Sequence, residues 1–396
     1  MDYLARAADL QPELVATRRD FHQHPEIGFQ EHRTAGILAQ RLADMGFEVQ
    51  TGVAKTGVVA FLEGAHAGPT VMLRCDMDAL PIQELSDVPY RSQVDGMMHA
   101  CGHDGHMAIA LATAQILSEQ RDQMHGNIRL VCQPGEEGHG GMLRMLDAGL
   151  LDMQPAADIA LGLHLWSPLA VGTVGIAAGA TMSGSSVFRI KVKGKGGHAA
   201  MPHTTIDPVA CTGQLITALH TIVGRRMNAM DGAVILSVTG LQTSTNTHNI
   251  IPETVEITGT FRTFNAYTSE LLEQHVRDVS RSVCESVGCT ADVHVRHLTI
   301  PTVNDKDVVQ RVTQVFGHML NAEQINDRPH TMASDDFSYV LDEIPGVYFF
   351  VGIANEARGI NYSHHHPRFD MDEAALTMGA GLLSAAAAAY VLPDTV

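Results

Sequence analysis

The sequence predicts a mixed α/β protein in two parts: a domain with a central mixed β-sheet flanked by helices, and a ferredoxin-like α+β domain of βαββαβ order inserted into it. Three observations carry this reading. Over the first half of the chain, short β-rich runs alternate with helical ones; near Gly179 the composition turns to small residues, AGATMSGSS; and after Pro301 helix and strand alternate again. The boundaries that follow are 1–182 with 299–396 for the first domain and 183–298 for the insert. A chain of 396 residues is long for a single core, which agrees with two.

Taken in order, residues 2–22 read as helical, and 34–45 place Ile37, Leu38, Leu42 and Met45 on one helix face that Gly46 terminates. Runs at 57–62 and 70–74 predict strands, the second delivering the loop CDMDALPI. Helix 108–118, strand 127–133, helix 142–148 and strand 159–165 follow, with polar residues at the strand ends, where open sheets place their ligand sites. In the insert the pattern is strand 186–193, helix 208–227, strands 233–242 and 253–264, helix 269–286 and strand 290–297, an antiparallel sheet with helices on one face. Beyond 301 come helix 308–320 and strand 346–352. The run 374–395, interrupted only by Asp394, is rich in Ala and Gly and predicts a buried packing helix rather than a membrane span.

Composition narrows the function. With 45% hydrophobic and 18% charged residues the chain reads as globular and ordered. Lys plus Arg at 26 against Asp plus Glu at 44 gives −18, which argues against nucleic acid or an anionic membrane as partner and requires local donors for any anionic substrate. Six cysteines, at 75, 101, 132, 211, 284 and 289, follow no framework spacing, so reduced thiols are expected. The N-terminal stretch is charged throughout and lacks the apolar core of a signal peptide, so a cytoplasmic location is expected.

The chemistry centres on MHACGHDGH, 98–106, which sets His99, Cys101, His103 and His106 close together, with Asp104 beside them to orient an imidazole. Thiol and imidazole together suit a borderline-soft cation. Later stretches supply further donors: GEEGHGG at 135–141, GLHLW at 162–166 and YSHHHPRFD at 362–370. The candidate set is Cys101, His103, a carboxylate from Glu136 or Glu137, His164, and one of His364, His365 and His366. That exceeds the four ligands of a closed structural zinc site and suits two ions sharing a ligand, for which cysteine sulfur can serve, with an acidified water between them. One glutamate can then bind metal while its neighbour carries a proton. Alone, Glu-Glu on a glycine-rich turn is a solvated acidic turn, and only the company of the other motifs reverses that reading. His139 is a weaker candidate. Asp76 and Asp78, two apart on an extended loop, point to one side and can accept from ligand imidazoles, Asp78 preferentially.

In this order, LRCDMDALPI, MHACGHDGH, CQPGEEGHGG, GLHLW, GGHAAMPH, NIIPE with GTFRT, and HHHPRFDMDE resemble the metal-dependent amidohydrolase family of aminoacylases and related carboxypeptidases. Within it they resemble the branch of hippurate hydrolase, plant auxin-conjugate hydrolases and bacterial N-acyl-amino-acid amidohydrolases. The resemblance implies a catalytic domain with an inserted dimerisation or lid domain, a homodimer or dimer of dimers, and two divalent ions (Zn, Mn, Co or Ni). The implied reaction is hydrolysis of the amide between an acyl group and an amino acid, with dipeptides or carbamoyl amino acids as the alternative substrates. Position by position, it makes Cys101 the bridging ligand, His103, Glu137, His164 and His365 the other ligands, and Glu136 the general base. His198 of GKGGHAAMPH matches the histidine that polarises the substrate carbonyl, often across a subunit boundary, while His203 is expected to be structural. Asn249 of THNIIPE matches the asparagine that binds the substrate carboxylate or carbonyl, with His248 standing where the family carries a small or polar residue. Arg262 is a candidate partner for a substrate carboxylate, and Asp335 of ASDDF is one methylene shorter than the glutamate usual in the branch. A non-catalytic metal-binding protein is the reading from another class; retention of both Glu136 and Glu137 argues against it, because storage needs no free base.

Overall fold

Four parallel strands, His66–Asp76, His125–Gln133, Ile159–Ala170 and Gly346–Ala354, form the centre of an eight-stranded mixed sheet in the computed structural model, which describes residues 1–392. Their registers set Leu73 beside both Leu130 and Leu161, and Leu163 beside Phe349, all fully or almost fully buried. Burial on both faces explains why GVYFFVGIA reads as an unbroken apolar run instead of an alternating one. Gly57–Glu63 pairs antiparallel with His125–Gln133, and Glu48–Val53 adds an antiparallel edge. That edge strand gives no sequence signal because all of it but Val53 is at least partly exposed and no apolar face is needed.

The helices His103–Ser118 and Ala374–Val391 pack against each other and line the sheet. Both are buried almost all round, so neither shows an amphipathic stripe. Ala374–Val391 is long and apolar enough to cross a membrane by composition, yet here it is enclosed by Tyr3–Asp9, His103–Ser118 and Lys306–Met319. The end of that uncharged run, 393–395, lies outside the described residues. The expected helix over 2–22 is two, Tyr3–Asp9 and Gln11–Gln23, the second opening on Pro12, a residue suited to the first helical turn. Helix 108–118 begins earlier than expected, at His103, after Gly102 in the left-handed region at φ 93°. The earlier start places His103, Asp104 and His106 in ordered helical turns.

The chain divides into two units, Met1–Gly179 with Val303–Pro329 and the stretch from Tyr339 onward, and Ala180–Thr302 with His330–Ser338. In the second unit an antiparallel sheet runs in the order Val234–Thr243, Thr254–Thr263, Gly184–Lys193, Thr290–Thr299. Helices Pro208–Arg226 and Ala266–Ser286 cover one face, sealing Phe188, Ile190, Val192, Leu215, Leu219, Leu272 and Val276. This is the ferredoxin-like layout expected from the strand–helix order. The segment His330–Ser338 belongs with this unit, although the sequence reading assigned 299–396 wholly to the first. Thr331 N–H donates to Thr181 O, and Ser183 Oγ donates to Met332 O at 2.8 Å. Such a segment, held by backbone bonds and almost without strand or helix, leaves no pattern to read.

Gly259 shows how closely the second core is packed. It lies opposite Phe188 in register, and a Cβ there would sit 2.1 Å from Phe188 Cζ and 2.4 Å from Ser237 O. Gly259→Ala is therefore expected to cost about 2 kcal/mol through overpacking, read as a lower urea midpoint. An unchanged midpoint would show that the sheet yields at this position.

Candidate metal centre

Parallel strands deliver their carboxyl ends to one edge of the sheet, and the first unit uses that edge to collect ligands. His66–Asp76 ends at Asp76 and leads to Asp78; His125–Gln133 leads through Pro134 and Gly135 into the turn Glu136–His139; Ile159–Ala170 carries His164. Cys101 and His103 stand at the start of the helix His103–Ser118. His365 enters from the C-terminal loop with φ 64°, its N–H bonded to Ala100 O at 2.8 Å.

The ligand atoms of Cys101, His103 and His164 lie within 4.8 Å of one another, and so do those of Cys101, Glu137 and His365. The two sets share the Cys101 sulfur. Cys101 Sγ is 3.7 Å from His164 Nε2, and His365 Nε2 is 3.1 Å from Glu137 Oε1. A further set joins His103 to Glu136 and Glu137. His103 and His164 are buried, whereas the His365 side chain is half exposed.

The hydrogen bonds fix which ring nitrogens are available. His103 Nδ1 donates to Asp78 O at 2.8 Å, so Nε2 is the nitrogen left to face a ligand, and it is buried without a hydrogen-bond partner. His164 Nδ1 donates to Leu165 O at 2.7 Å, leaving its Nε2 lone pair beside Cys101. Glu137 Oε1 is also buried and makes no hydrogen bond despite its closeness to His365 Nε2, as two ligands of one ion would be placed.

The electrostatics point the same way. Burial, and then the charges of Glu137 and Glu136, hold the Cys101 thiol well above its ordinary range. Burial works against a charged His103, but Asp76, Asp78 and Glu137 outweigh it and push the imidazole up to about 10. His164 is held well below its usual value, first by burial and then by His106 and His364. A pocket in which burial and nearby carboxylates keep a proton on a thiol, and carboxylates keep one on an imidazole, has the charge to accept cations in their place. Orphaned donor atoms, mixed N, S and O ligands and a negative surplus therefore fit two divalent ions sharing Cys101.

Other expectations are corrected or sharpened. Asp78 orients His103 through its backbone carbonyl, while its carboxylate accepts Glu137 N–H at 3.0 Å. Asp76 accepts from His106 Nδ1 at 2.6 Å and pairs with Arg74, and it lies 3.5 Å from His103 Nε2. His106 spends its other nitrogen accepting Leu165 N–H, which makes it a strut. Of the three consecutive histidines only His365 reaches the cluster. His364 binds Leu165 O and Ser167 Oγ, and His366 stacks on Tyr362 and accepts Arg368 N–H. His139 packs on Phe29, and His99 is buried with neither ring nitrogen hydrogen-bonded. Asp104 supports from behind, binding Arg18 and His22.

In the second unit, Gly197–His198 pairs with Ile250–Ile251, and Ala199 N–H donates to Asn249 O at 3.0 Å, so His198 and Asn249 sit on one exposed ribbon, with His248 exposed beside them. His198 Nδ1 accepts Ala200 N–H at 3.1 Å, which leaves the ring proton on Nε2. Arg262 Nη1 donates to Met332 O and Ser334 Oγ, so this arginine ties down the segment His330–Ser338 of its own unit. His203 lies in the short turn Pro202–Thr204, exposed.

Sequence reasoning missed Arg18. Its side chain is fully buried and bonds Asp104 at 2.8 Å, Asp370 at 2.9 Å and Glu373 at 3.3 Å, joining the helix Gln11–Gln23 to the first turn of the helix His103–Ser118 and to the chain after His365. The signal present was RRDFHQHPE, where Arg18 and His22 share a helix face, but no sequence pattern names their partners.

Fold and donor set together define a two-unit α/β metallohydrolase. Residues 72–389 match the peptidase family M20/M25/M40, and the chain belongs to that family. It is 37% identical to an Arabidopsis thaliana IAA-amino acid hydrolase, ILR1-like 4, over 98% of this chain and 88% of the relative. It is also 37% identical to an N-acetyl-L-cysteine deacetylase of Bacillus subtilis, over 93% and 85%. A solved structure from Bacillus subtilis, described as a dinuclear metal binding peptidase of the M20 family, superposes with a TM-score of 0.81 at 31% identity, covering 95% of this chain and 97% of that one.

The geometry separates the three adjacent histidines by experiment. His365→Ala is expected to lower bound metal by about one ion per chain, whereas His364→Ala and His366→Ala should each retain both, as measured by elemental analysis after dialysis. Equal retention in all three would remove His365 from the site.

Proposed function

We propose that this protein hydrolyses the amide bond of N-acyl amino acids, of the hippurate-like or N-acetyl kind, giving a carboxylate and a free amino acid. The observation that carries the reading is the pair of donor sets sharing Cys101, with Glu136 adjoining both His103 and Glu137. The names of the relatives, an IAA-amino acid hydrolase and an N-acetyl-L-cysteine deacetylase, support the substrate class. Cys101, His103, Glu137, His164 and His365 would hold two divalent ions, Zn, Mn, Co or Ni. When bound, these supply Lewis acidity toward the scissile carbonyl and lower the pKa of a water toward neutrality.

The chain's own residues do the remaining work. Glu136 takes a proton from the attacking water as its oxygen bonds to the acyl carbon, and delivers it to the nitrogen as the C–N bond breaks. His198, by its match to the family motif and with its proton on Nε2, donates to the oxygen that gains charge. Asn249, by its match to the family motif and with His248 beside it, binds the substrate carboxylate or the reacting carbonyl. The reaction uses one water and leaves a carboxylate and an amine.

The test is release of free amine from acyl-Gly, acyl-Ala, acyl-Phe and acyl-Asp, with dipeptides and carbamoyl amino acids alongside. Release from at least one acyl amino acid, lost on chelation and restored by Zn, Mn, Co or Ni, is expected. Release only from dipeptides would favour a peptidase, the description carried by the solved relative, and release from none would leave a metal-binding protein. Glu136→Gln should abolish turnover while about two ions per chain remain; an active variant would remove the base assignment. His198→Ala should slow turnover about 100-fold or more, since an oxyanion donor is worth ~3 kcal/mol. Mixing it with Glu136→Gln chains restores activity where a dimer shares the site, and no restoration means each chain completes its own.

A further inference from the structure

Beneath the turn that carries Glu136 lies a carboxylate that the reaction does not use. Glu31 precedes the helix His32–Asp44 and is 0% exposed. Both its oxygens are engaged: Oε2 accepts Thr56 Oγ1–H at 2.6 Å, and Oε1 accepts Gly135 N–H at 2.9 Å. Two residues further on, the Glu137 N–H is held by Asp78 Oδ2 at 3.0 Å. The amides on either side of Glu136 are thus each fixed by a buried carboxylate, and Gly141 N–H closes the turn on Gly135 O at 3.0 Å. Gly135 itself is left-handed at φ 60°.

The packing has no slack for another arrangement. A Cβ at Gly28 would lie 2.6 Å from His139 Cδ2 and 3.0 Å from Gly135 Cα, and one at Gly135 would lie 2.9 Å from the Phe29 ring. The segment Gly28–Glu31 is therefore pressed against the turn Gly135–His139, with Glu31 as its polar contact. A neutral acceptor would satisfy one amide, yet a buried carboxylate is costly unless fully bonded. Charge-assisted acceptance is roughly twice as strong as neutral and directional, which suits a group that must set a peptide plane.

We infer that Glu31 is a positioning residue for the reaction: by holding Gly135 N–H it sets the direction in which Glu136 presents its carboxylate. This rests on Glu136 being the base, and the experiment separates the two. Four variants are compared as metal-loaded, folded protein on the best substrate of the panel: Glu31→Ala, Glu31→Gln, Glu136→Gln and the double variant Glu31→Ala with Glu136→Gln. Glu31→Ala is expected to lower kcat at least 10-fold with KM and bound metal unchanged. Glu31→Gln, whose carbonyl still accepts Gly135 N–H and whose amide can donate to Thr56 Oγ1, should recover most of kcat. In the double variant the Glu31 change should cost nothing further, because it acts through Glu136.

A readout independent of turnover is amide hydrogen exchange over residues 134–141, which should quicken in Glu31→Ala and return to the parent rate in Glu31→Gln. Should Glu31→Ala not fold, Glu31→Asp takes its place, one methylene too short to reach both partners, with kcat lowered and exchange over 134–141 raised. Wild-type kcat in folded Glu31→Ala, or exchange over 134–141 unaltered by either shortened variant, would overturn the inference. An active Glu136→Gln would instead remove the base reading on which it stands.

Discussion

A thiolate among carboxylates is tolerable only where cations share the space, and the first unit is built around that constraint. Burial, and then the charges of Glu137 and Glu136, keep a proton on the Cys101 sulfur unless compensating charge is present. The two buried imidazoles beside it each have their other ring nitrogen fixed elsewhere: His103 on Asp78 O, His164 on Leu165 O. The imidazoles are thereby presented as acceptors toward one centre, which is what a cation requires and what a hydrogen-bonded polar core would avoid.

Holding such a centre together is a long-range problem, since its members come from both ends of the unit. The parallel sheet solves part of it by aligning the carboxyl ends of its strands. Arg18 solves another part, since one buried guanidinium is shared by Asp104, Asp370 and Glu373. A guanidinium taken wholly out of water is tolerated only when carboxylates surround it, so these pairs fix the three segments relative to one another. Burial opposes the Asp104 charge, but Arg18 and His22 keep that carboxyl well below its usual range. Around the turn that carries Glu136, Asp78 and Glu31 accept from backbone amides through their carboxylates. The same loop residue, Asp78, thus serves His103 with its carbonyl and Glu137 with its carboxylate.

The second unit has a different physical character. Its helices seal one face of an antiparallel sheet, and its polar candidates gather on the small ribbon of His198 and Asn249. A histidine whose Nδ1 accepts from its own loop is held in the tautomer that offers a proton from Nε2. Arg262, which the sequence offers either as a carboxylate partner or as a structural group on its strand, is committed to backbone and hydroxyl acceptors within the unit.

By itself the sequence determined the α/β class, the βαββαβ insert and the candidate donor types, because each leaves a local trace: periodicity, strand–helix order, or thiol and imidazole at short spacing. It did not determine the edge strand Glu48–Val53, which is too exposed to carry a pattern, or the membership of His330–Ser338, which is held by backbone bonds. The residues alone left His364, His365 and His366 open and the family resemblance pointed to His365; the tertiary structure supplies the physical reason, since φ and the bond to Ala100 O aim that one of three adjacent rings inward. Only the tertiary structure revealed that Asp76 supports His106, that Arg18 joins segments distant in the chain, and that Glu31 bears on the Glu136 turn. The reason is common to all of these: a buried charge or amide takes its partner from wherever the fold brings one, and the distance along the chain between Glu31 and Gly135, or Arg18 and Asp370, encodes none of it.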